Sequence, residues 1–438
     1  MASPISFPIH WRVPVGCGYS GFFTEVALGF IPALRSLNVD ARLLTGRCDD
    51  HWLRAHLDAA DAAAYQAAWL DEHSLTSAQA SAALAIEHGE PCGIRQWKPN
   101  DKARPWRVVA RAMSERDVTQ REQWCLRGAD EVWVPTAWHL ERFASAGVPR
   151  HTLRVIPEPV DTIFFSPFSS YSGKTSTGKS YSGRLKKLTR TFDGNAAPFV
   201  FVSVFKWEWR KGWDLLLDAY WSEFGGSGGN DEKVLLKLKT YLPSWEPGPR
   251  DLNEHIERHA QRKFRKSRTK LPTIELLLAD ITREGMRDLY AHSDAFVLPT
   301  RGEGWGLPIA EAMSMGLPAI ATNSSGPTAF LTRENSHPLP VHARLREGFA
   351  EPSVAELRKA MRKAYEERGE KARERGAKAR ADMHGKFSRE AVGRLVVERL
   401  KEMGEEEKLR PHSKRNKKGH HHHHKGRRSR DLKDEMRS

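Results

Sequence analysis

The sequence predicts an α/β protein with two Rossmann-like domains that face a cleft, followed by C-terminal helices and a disordered basic tail. Three observations predict this fold: strands alternate with helices along two stretches, a Ser/Gly/Lys-rich segment separates the stretches, and long polar helices follow them. A chain of 438 residues has room for two or three domains. Ligands of such sheets bind at the carboxyl ends of the strands, so the site is expected in the cleft.

The first domain is predicted to span residues 1–165. Short apolar runs bounded by turn residues predict its strands, at 5–11, 41–44, 84–88, 131–135 and 153–157. Helical apolar spacing or alanine-rich composition predicts its helices, at 22–37, within 49–84 and at 138–146.

Residues 166–197 are predicted to be a low-complexity linker or insertion, because Ser170-Tyr-Ser-Gly173 is repeated as Ser180-Tyr-Ser-Gly183. A second Rossmann-like domain is predicted at 198–383. Its strands are expected at 199–204, 234–238, 274–279, 295–299 and 319–322, and its helices at 213–224, 283–291 and 307–315. Two long polar helices are expected at 354–383 and 388–403, with 384–407 as the closing helix and 408–438 as the tail.

The charge of +15 is concentrated outside the predicted domains. Residues 408–438 carry 12 lysines and arginines against three acids, and residues 166–197 carry six against one, which leaves +1 for the rest. A protein built as a nucleic-acid-binding surface is therefore not indicated.

The cysteines and the apolar runs bear on the compartment. Cys17, Cys48, Cys92 and Cys125 are far apart and form no Cys-x-x-Cys pair, so a disulfide scaffold is not expected and a reducing compartment fits best. No apolar run reaches about 18 residues, and no secretory signal is visible. These features predict a cytoplasmic protein, and the basic tail leaves a nuclear location open.

Two glycine motifs suggest phosphate sites. Gly16, Gly18 and Gly21 form a G-x-G-x-x-G between a predicted strand and a helix, but no acid follows where a dinucleotide ribose needs one. The segment Gly173–Ser180 matches a phosphate-binding P-loop, with Lys179 as its lysine. Neither a buried strand before it nor a helix after it is predicted, so a coincidence of composition is favoured.

A third motif fits its surroundings better. Arg301-Gly-Glu303-Gly-Trp-Gly-Leu307 follows the strand at 295–299 and precedes a helix that carries Glu311. The strand end and the helix N-terminus direct backbone N–H groups to one point, which suits a diphosphate. A carboxylate in the turn and another on the helix can hold the hydroxyls of a polyol such as ribose or a sugar.

With these residues the sequence resembles the retaining family-4 glycosyltransferases of the GT-B fold, whose hallmark is Glu-x7-Glu. Other segments of the chain also resemble the family: Glu131–Thr136, Phe143–Val148, Val155–Asp161, Arg210–Gly212 and Ala321–Gly326. The resemblance covers roughly residues 1–403 without the 166–197 insertion.

The resemblance implies a catalytic set and a donor site. Glu303 would orient the donor sugar and stabilise positive charge at its anomeric carbon, while Glu311 would hold the ribose. Arg210 and Lys211 would stabilise the departing diphosphate. The family's further arginine falls at Phe205, and the neighbouring Lys206 is expected to substitute for it. The remaining expected donor contacts are Gly304, Trp305, Gly306, Leu307 and Gly18.

On the side of the acceptor, His88 is expected to face the cleft, with Gly16 and Gly21 nearby; a structural role for His88 is the alternative. No Asp-x-Asp pair occurs, which suits a mechanism without metal or another cofactor.

The predicted function is a metal-independent, retaining transfer of a hexose from a nucleotide-sugar to an acceptor hydroxyl. The alternatives are a binding protein on a degenerate GT-B fold and a P-loop nucleotidase that uses Gly173–Ser180. Donor base and sugar, acceptor and oligomeric state are left open.

Overall fold

A computed structural model describes residues 3–14, 16–17, 21–168, 170–174, 180–184, 198–225, 234–245, 248–249 and 251–409. Its first domain contains a parallel six-stranded sheet in the order β2-β1-β3-β4-β5-β6. The strands are β1 Ile9–Arg12, β2 Ala41–Leu44, β3 Leu84–Gly89, β4 Arg107–Ala112, β5 Glu131–Val134 and β6 Leu153–Val155. The helices are α1 Gly21–Glu25, α2 Ile31–Ser36, α3 Asp50–His56, α4 Ala59–Ala68, α5 Ser77–Ala82, α6 Gln120–Cys125 and α7 Ala137–Ser145.

The single helix predicted at 22–37 is interrupted. A π-helical turn, Val26–Phe30, joins α1 to α2, and Pro32 lies in the first turn of α2. Proline has no backbone N–H and cannot donate the hydrogen bond of a regular α-helix, which explains why the helix changes type next to Pro32.

The repeated Ser-Tyr-Ser-Gly segments form an antiparallel pair of strands, β7 Ser170–Lys174 and β8 Ser180–Arg184. The other residues of the predicted linker are 166–168, which are described, and 169, 175–179 and 185–197, which lie outside the described residues. A P-loop opens a helix at its Lys-Ser end. Here Ser180 begins a strand instead, so the structure contradicts the P-loop interpretation.

The second domain also contains a parallel six-stranded sheet, in the order β11-β10-β9-β12-β13-β14. Its strands are β9 Phe199–Lys206, β10 Val234–Tyr241, β11 Ile274–Leu277, β12 Ala295–Leu298, β13 Ala319–Thr322 and β14 Ser336–Leu339. Its helices are α8 Trp213–Phe224, α9 Leu252–Phe264, α10 Arg283–Ala291 and α11 Leu307–Ser314. A small antiparallel pair, β15 Val341–Arg344 and β16 Ala350–Pro352, follows the sheet.

Three helices end the described chain: α12 Val354–Glu366, α13 Glu370–Phe387 and α14 Arg389–Lys408. One helix was expected over 354–383, but Gly369, at φ +103°, separates α12 from α13. α14 returns to the first domain, where Val392, Val396 and Leu400 join its apolar core. The predicted basic tail, apart from residues 408–409, lies outside the described residues.

The predicted fold class, two Rossmann-like α/β domains, is confirmed by these two sheets. The sequence did not indicate β4, because Arg107 and Arg111 interrupt its apolar run. Both arginines are buried in the structure, and each forms an ion pair, Arg107 with Glu406 and Arg111 with Glu158. Paired charges can occupy a buried strand, which apolar patterning does not detect.

The cysteines are paired in the structure, although the sequence analysis did not expect disulfides. Cys17 forms a disulfide with Cys48, and Cys92 forms one with Cys125. The cytoplasmic prediction depended partly on unpaired thiols and loses that support. Among the described residues, no helix has the length and apolarity needed to cross a membrane.

Candidate active site

The predicted donor motif lies at the carboxyl end of β12, where the chain turns into α11. Gly306 begins that helix at φ +99°, a left-handed conformation that favours glycine. Glu303 is 5% exposed, and its backbone N–H donates to Ser325 Oγ at 2.9 Å. The Glu303 carbonyl accepts from the Gly326 N–H at 3.0 Å, so two bonds to the loop after β13 fix the backbone of the motif.

Lys211 meets Glu303 although the two residues are 92 positions apart. The Lys211 Nζ donates to both carboxylate oxygens of Glu303, at 2.7 and 2.8 Å. Lys211 belongs to a 3-10 turn, Trp209–Lys211, that follows β9, and Gly212 ends this turn at φ +69°. The structure therefore brings together the predicted catalytic residues Lys211 and Glu303, and Arg210 lies beside them.

Arg210, the third, links the two domains. Its Nη1 donates to the Gly302 carbonyl at 2.7 Å, and its Nη2 donates to Glu208 at 2.9 Å. The same Nη2 lies 3.0 Å from the carboxylate of Glu115, which follows β4 in the first domain. A carboxylate of Glu303 is 3.9 Å from Arg210 Nη1.

These charges shift one another's protonation. Burial favours the neutral form of Glu303, but the Lys211 and Arg210 cations outweigh it and lower the Glu303 pKa. Burial and the neighbouring Arg210 lower the pKa of Lys211. Burial raises the pKa of Glu115 against the opposing effect of Arg210. The Lys211 and Glu303 side chains are 12% and 6% exposed, so these two groups interact with little solvent between them.

Arg301 anchors the motif to its neighbours. Its guanidinium donates to Glu351 at 2.6 Å and to Asp214 at 2.8 and 2.9 Å, and it is 3% exposed. The Arg301 backbone N–H also donates to the Arg210 carbonyl at 2.7 Å. Arg301 thus holds the Glu303 loop beside the Lys211 turn.

Glu311 lies on α11, away from the Lys211–Glu303 pair. It accepts a hydrogen bond from Tyr290 Oη at 3.0 Å. Burial raises the pKa of Glu311 to about 7, against the opposing effects of Tyr290 and Arg283. With this pKa, the Glu311 carboxyl changes its charge around neutral pH.

The other predicted donor contacts have different surroundings. Trp305 is 1% exposed and packs against Phe330 and Phe387, so only its backbone belongs to the turn. Leu307 is partly buried in the first turn of α11. A Cβ on Gly304 would overlap the Met113 thioether, so a side chain there would require Met113 of the first domain to move.

Lys206 is not part of the ion cluster. Its Nζ lies 4.8 Å above the ring of Trp245, and Phe205 is buried in the core. The expectation that Lys206 replaces the family's arginine beside the diphosphate has no support in this arrangement.

The acceptor side is corrected at His88. It is 1% exposed, with Nε2 3.1 Å from Glu25 and Nδ1 3.4 Å from the Trp11 indole nitrogen. His88 therefore lies in the interior of the first domain and does not face the cleft. Gly16 is exposed and Gly21 begins α1, whereas Gly18 lies outside the described residues.

Glu25, His88 and Glu158 each offer a ligand atom within 4.8 Å of the others, a spacing that admits a metal ion. An indole N–H can only donate, so Nδ1 of His88 accepts from Trp11 and Nε2 carries the proton toward Glu25. This arrangement leaves Nε2 no lone pair for a metal. A hydrogen-bonded cluster, completed by the Arg111–Glu158 ion pair, fits these residues better.

Sequence patterns did not assign three residues of this site: Glu115, Arg301 and Ser325. Glu115 belongs to a stretch, 111–117, that has no chemical pattern of its own. Ser325 adopts φ +54°, which a non-glycine residue seldom does, and no sequence signal marks such a position.

The comparisons with known proteins agree with this geometry. Residues 197–366 match the family model for glycosyl transferases group 1. The solved structure of HepE from Anabaena with UDP and glucose superposes with a TM-score of 0.60 and 15% identity, over 90% of this chain and all of that one. A glycosyltransferase from Rickettsia africae gives 0.62 and 14%, over 90% and 98% of the two chains.

Sucrose-phosphate synthase from Thermosynechococcus elongatus superposes with a TM-score of 0.58 and 15% identity, over 91% of this chain and all of that one. No curated protein sequence matches the chain significantly. The molecule has the GT-B fold of glycosyltransferases. The family match, residues 197–366, lies in the second domain and includes Lys211, Glu303 and Glu311.

Proposed function

We propose that the protein transfers a hexosyl group from a nucleotide-sugar donor to an acceptor hydroxyl, with retention of anomeric configuration and without a metal ion. The observation that carries the proposal is the Lys211–Glu303 pair at the N-terminus of α11, with contacts of 2.7 and 2.8 Å. HepE, which shares the fold, was solved with UDP and glucose and with UDP-glucose, and this supports a nucleotide-sugar donor here.

The site residues divide the donor between them. The N–H groups at the start of α11 and the cations of Arg210 and Lys211 face the diphosphate. Glu311 accepts from the ribose hydroxyls. Glu303 orients the sugar and stabilises positive charge at the anomeric carbon.

In the proposed transfer, the bond between the anomeric carbon and the phosphate oxygen breaks while a bond to the acceptor oxygen forms on the same face. The departing phosphate oxygen takes the proton of the acceptor hydroxyl, so the step needs no base from the protein. Negative charge grows on the diphosphate, where Lys211 and the helix N-terminus stabilise it. In this scheme a metal ion has no separate role, since these fixed cations do its work.

Substituting Glu303→Ala tests the assignment. Sugar transfer should fall by at least about a hundredfold, as when a group that stabilises transition-state charge is lost, while circular dichroism shows an intact fold. Lys179→Ala is the matched control for the P-loop alternative and should leave transfer unchanged. Normal transfer by Glu303→Ala would refute the site.

A thermal-shift panel of UDP-, GDP- and ADP-sugars identifies the donor, because a bound ligand raises the apparent stability. A shift with one nucleotide and none with the others is the expected result. No shift with any of them would favour the degenerate binding protein.

A further inference from the structure

A loop of the first domain, Met113–Asp117, lies across the donor motif, and we call it the cleft loop. A Cβ on Gly302 would overlap the Glu115 carbonyl, and one on Gly304 would overlap Met113. The Asp117 backbone N–H donates to the Glu347 carbonyl at 3.0 Å. The two domains are therefore in direct contact at the residues that flank Glu303.

Five charged groups meet beneath this contact. Three are carboxylates, of Glu115, Glu208 and Glu303, and two are the cations of Arg210 and Lys211. Each cation already has a carboxylate within 3.0 Å, and the set has a net charge of −1 when all five are ionised. A diphosphate, which carries about two negative charges, would meet repulsion here unless a carboxylate leaves.

The three carboxylates differ in how firmly they are held. The side chain of Glu303 is 6% exposed and accepts two bonds from Lys211. Glu208 is 12% exposed and accepts from Arg210 and from the Trp245 indole at 3.2 Å.

Glu115 is held least firmly. Its side chain is 41% exposed, and among the described residues its ion pair is with Arg210. It also belongs to the opposite domain, so opening of the cleft removes it without disturbing the donor side.

We infer that Glu115 is an exchangeable counter-ion, which pairs with Arg210 in the empty cleft and gives way to the donor diphosphate. This inference rests on the proposed function, because the diphosphate of the proposed donor is the ligand that would displace Glu115.

The test compares diphosphate binding by the parent protein and by Glu115→Gln, with UDP, GDP and ADP as calorimetric probes. Glutamine keeps the size of the side chain and removes the competing charge. The dissociation constant of the nucleotide that binds should fall about fivefold, the scale of one partly exposed ion pair. Glu347→Gln is the matched control, because Glu347 pairs across the same interface with Arg116 at 3.5 Å and does not touch Arg210. It should leave the constant unchanged.

A second comparison removes the partner. In an Arg210→Gln background, adding Glu115→Gln should no longer change the dissociation constant. An unchanged or weaker affinity in Glu115→Gln alone, with the parent binding normally, overturns the counter-ion role and leaves the proposed function intact. Binding of none of the three nucleotides by the parent overturns both.

Discussion

The Lys211 ammonium and the Glu303 carboxylate are largely buried and hold each other by two hydrogen bonds. A pair of this kind costs desolvation, which its Coulomb attraction only partly offsets. Its retention in the cleft is therefore better explained by the reaction than by stability. The cation is fixed before the diphosphate acquires charge, so little reorganisation is needed during transfer.

Lys211→Ala should lower kcat about 10²- to 10³-fold, because the departing diphosphate loses a fixed cation. It should also destabilise the fold by about 3 kcal/mol, since buried Glu303 loses both hydrogen bonds and keeps Arg210, 3.9 Å away, as a weaker partner. Steady-state kinetics and urea unfolding measure the two effects. Lys206→Ala is the control, because Lys206 lies over Trp245 outside the ion cluster. An equal loss of kcat in Lys206→Ala would show that the diphosphate binds elsewhere.

The raised pKa of Glu311 predicts that the stability of the protein depends on pH. Its pKa of about 7 in the folded state lies above its ordinary value of 4.5, so the folded protein binds the proton more tightly than the unfolded chain. The free energy of unfolding should therefore fall as pH rises from about 4.5 to 7, by on the order of 2 kcal/mol for this group.

Glu311→Gln should remove this part of the decline, and the variant should be more stable than the parent at pH 8 while binding donor more weakly. Urea unfolding at pH 5 and pH 8 measures it. A residual slope is expected in both proteins, since burial also raises the pKa of Glu25 and of Glu158 to about 7. Identical slopes in parent and variant would contradict the assignment to Glu311.

Among the secondary-structure elements, one glycine allows the loop after β9 and the loop after β12 to approach each other closely. Gly212 joins the Lys211 turn to α8 at φ +69°, and a Cβ there would overlap the carbonyl of Pro299, which follows β12. Gly212→Ala should destabilise the protein by about 2 to 4 kcal/mol, from backbone strain and overlap together. It should also lower kcat, because Lys211 moves away from Glu303.

Gly385→Ala provides the contrast. Gly385 lies exposed within α13, and a Cβ there would have no atom within 4 Å, so alanine should stabilise the helix by about 0.5 to 1 kcal/mol. Thermal unfolding of both variants, with kcat for each, makes the comparison. A tolerated Gly212→Ala with normal kcat would mean that the loop contact does not position Lys211.

Some of these strands and loops were predictable from the sequence, whereas the contact between Glu115 and Arg210 was not. Strands β9, β12 and β13 are continuous apolar runs buried on both faces, and their positions follow from the sequence pattern alone. The Glu303 loop follows from its place between a strand and a helix. The Glu115–Arg210 pair does not follow, since it joins residues on separate domains whose approach is fixed only in three dimensions.

Over the whole molecule, ion pairs join the two domains in addition to the chain segment that leads from β6 to the second domain. Arg283 of the second domain pairs with Asp61 of the first and, at 3.0 Å, with Asp161 of this connecting segment. Arg389, at the start of α14, lies 2.9 Å from Asp161. α14 therefore begins at an ion network that involves both domains. The cleft loop forms a separate contact between the domains, at the residues beside Glu303. The inferred exchange of Glu115 for a diphosphate would leave this network intact, because Glu115 does not belong to it.

The disulfides make the first domain distinct from the second, because both bonds lie within it. They close loops of 31 and 33 residues, for which chain entropy gives about 3 to 4 kcal/mol each. Cys17–Cys48 also ties the Gly16 turn to the chain after β2.

Reduction should therefore lower the thermal midpoint of the parent protein and weaken the first domain more than the second. Thermal unfolding with and without a phosphine reductant measures the change, and thiol titration of the unfolded chain counts the bonds. A variant with all four cysteines replaced by serine should unfold at the lower midpoint and ignore the reductant. Four free thiols in the purified parent, with no response to reductant, would restore the reducing compartment that the cysteine spacing predicted. Two bonds and a lowered midpoint would instead place folding of this domain in an oxidising environment.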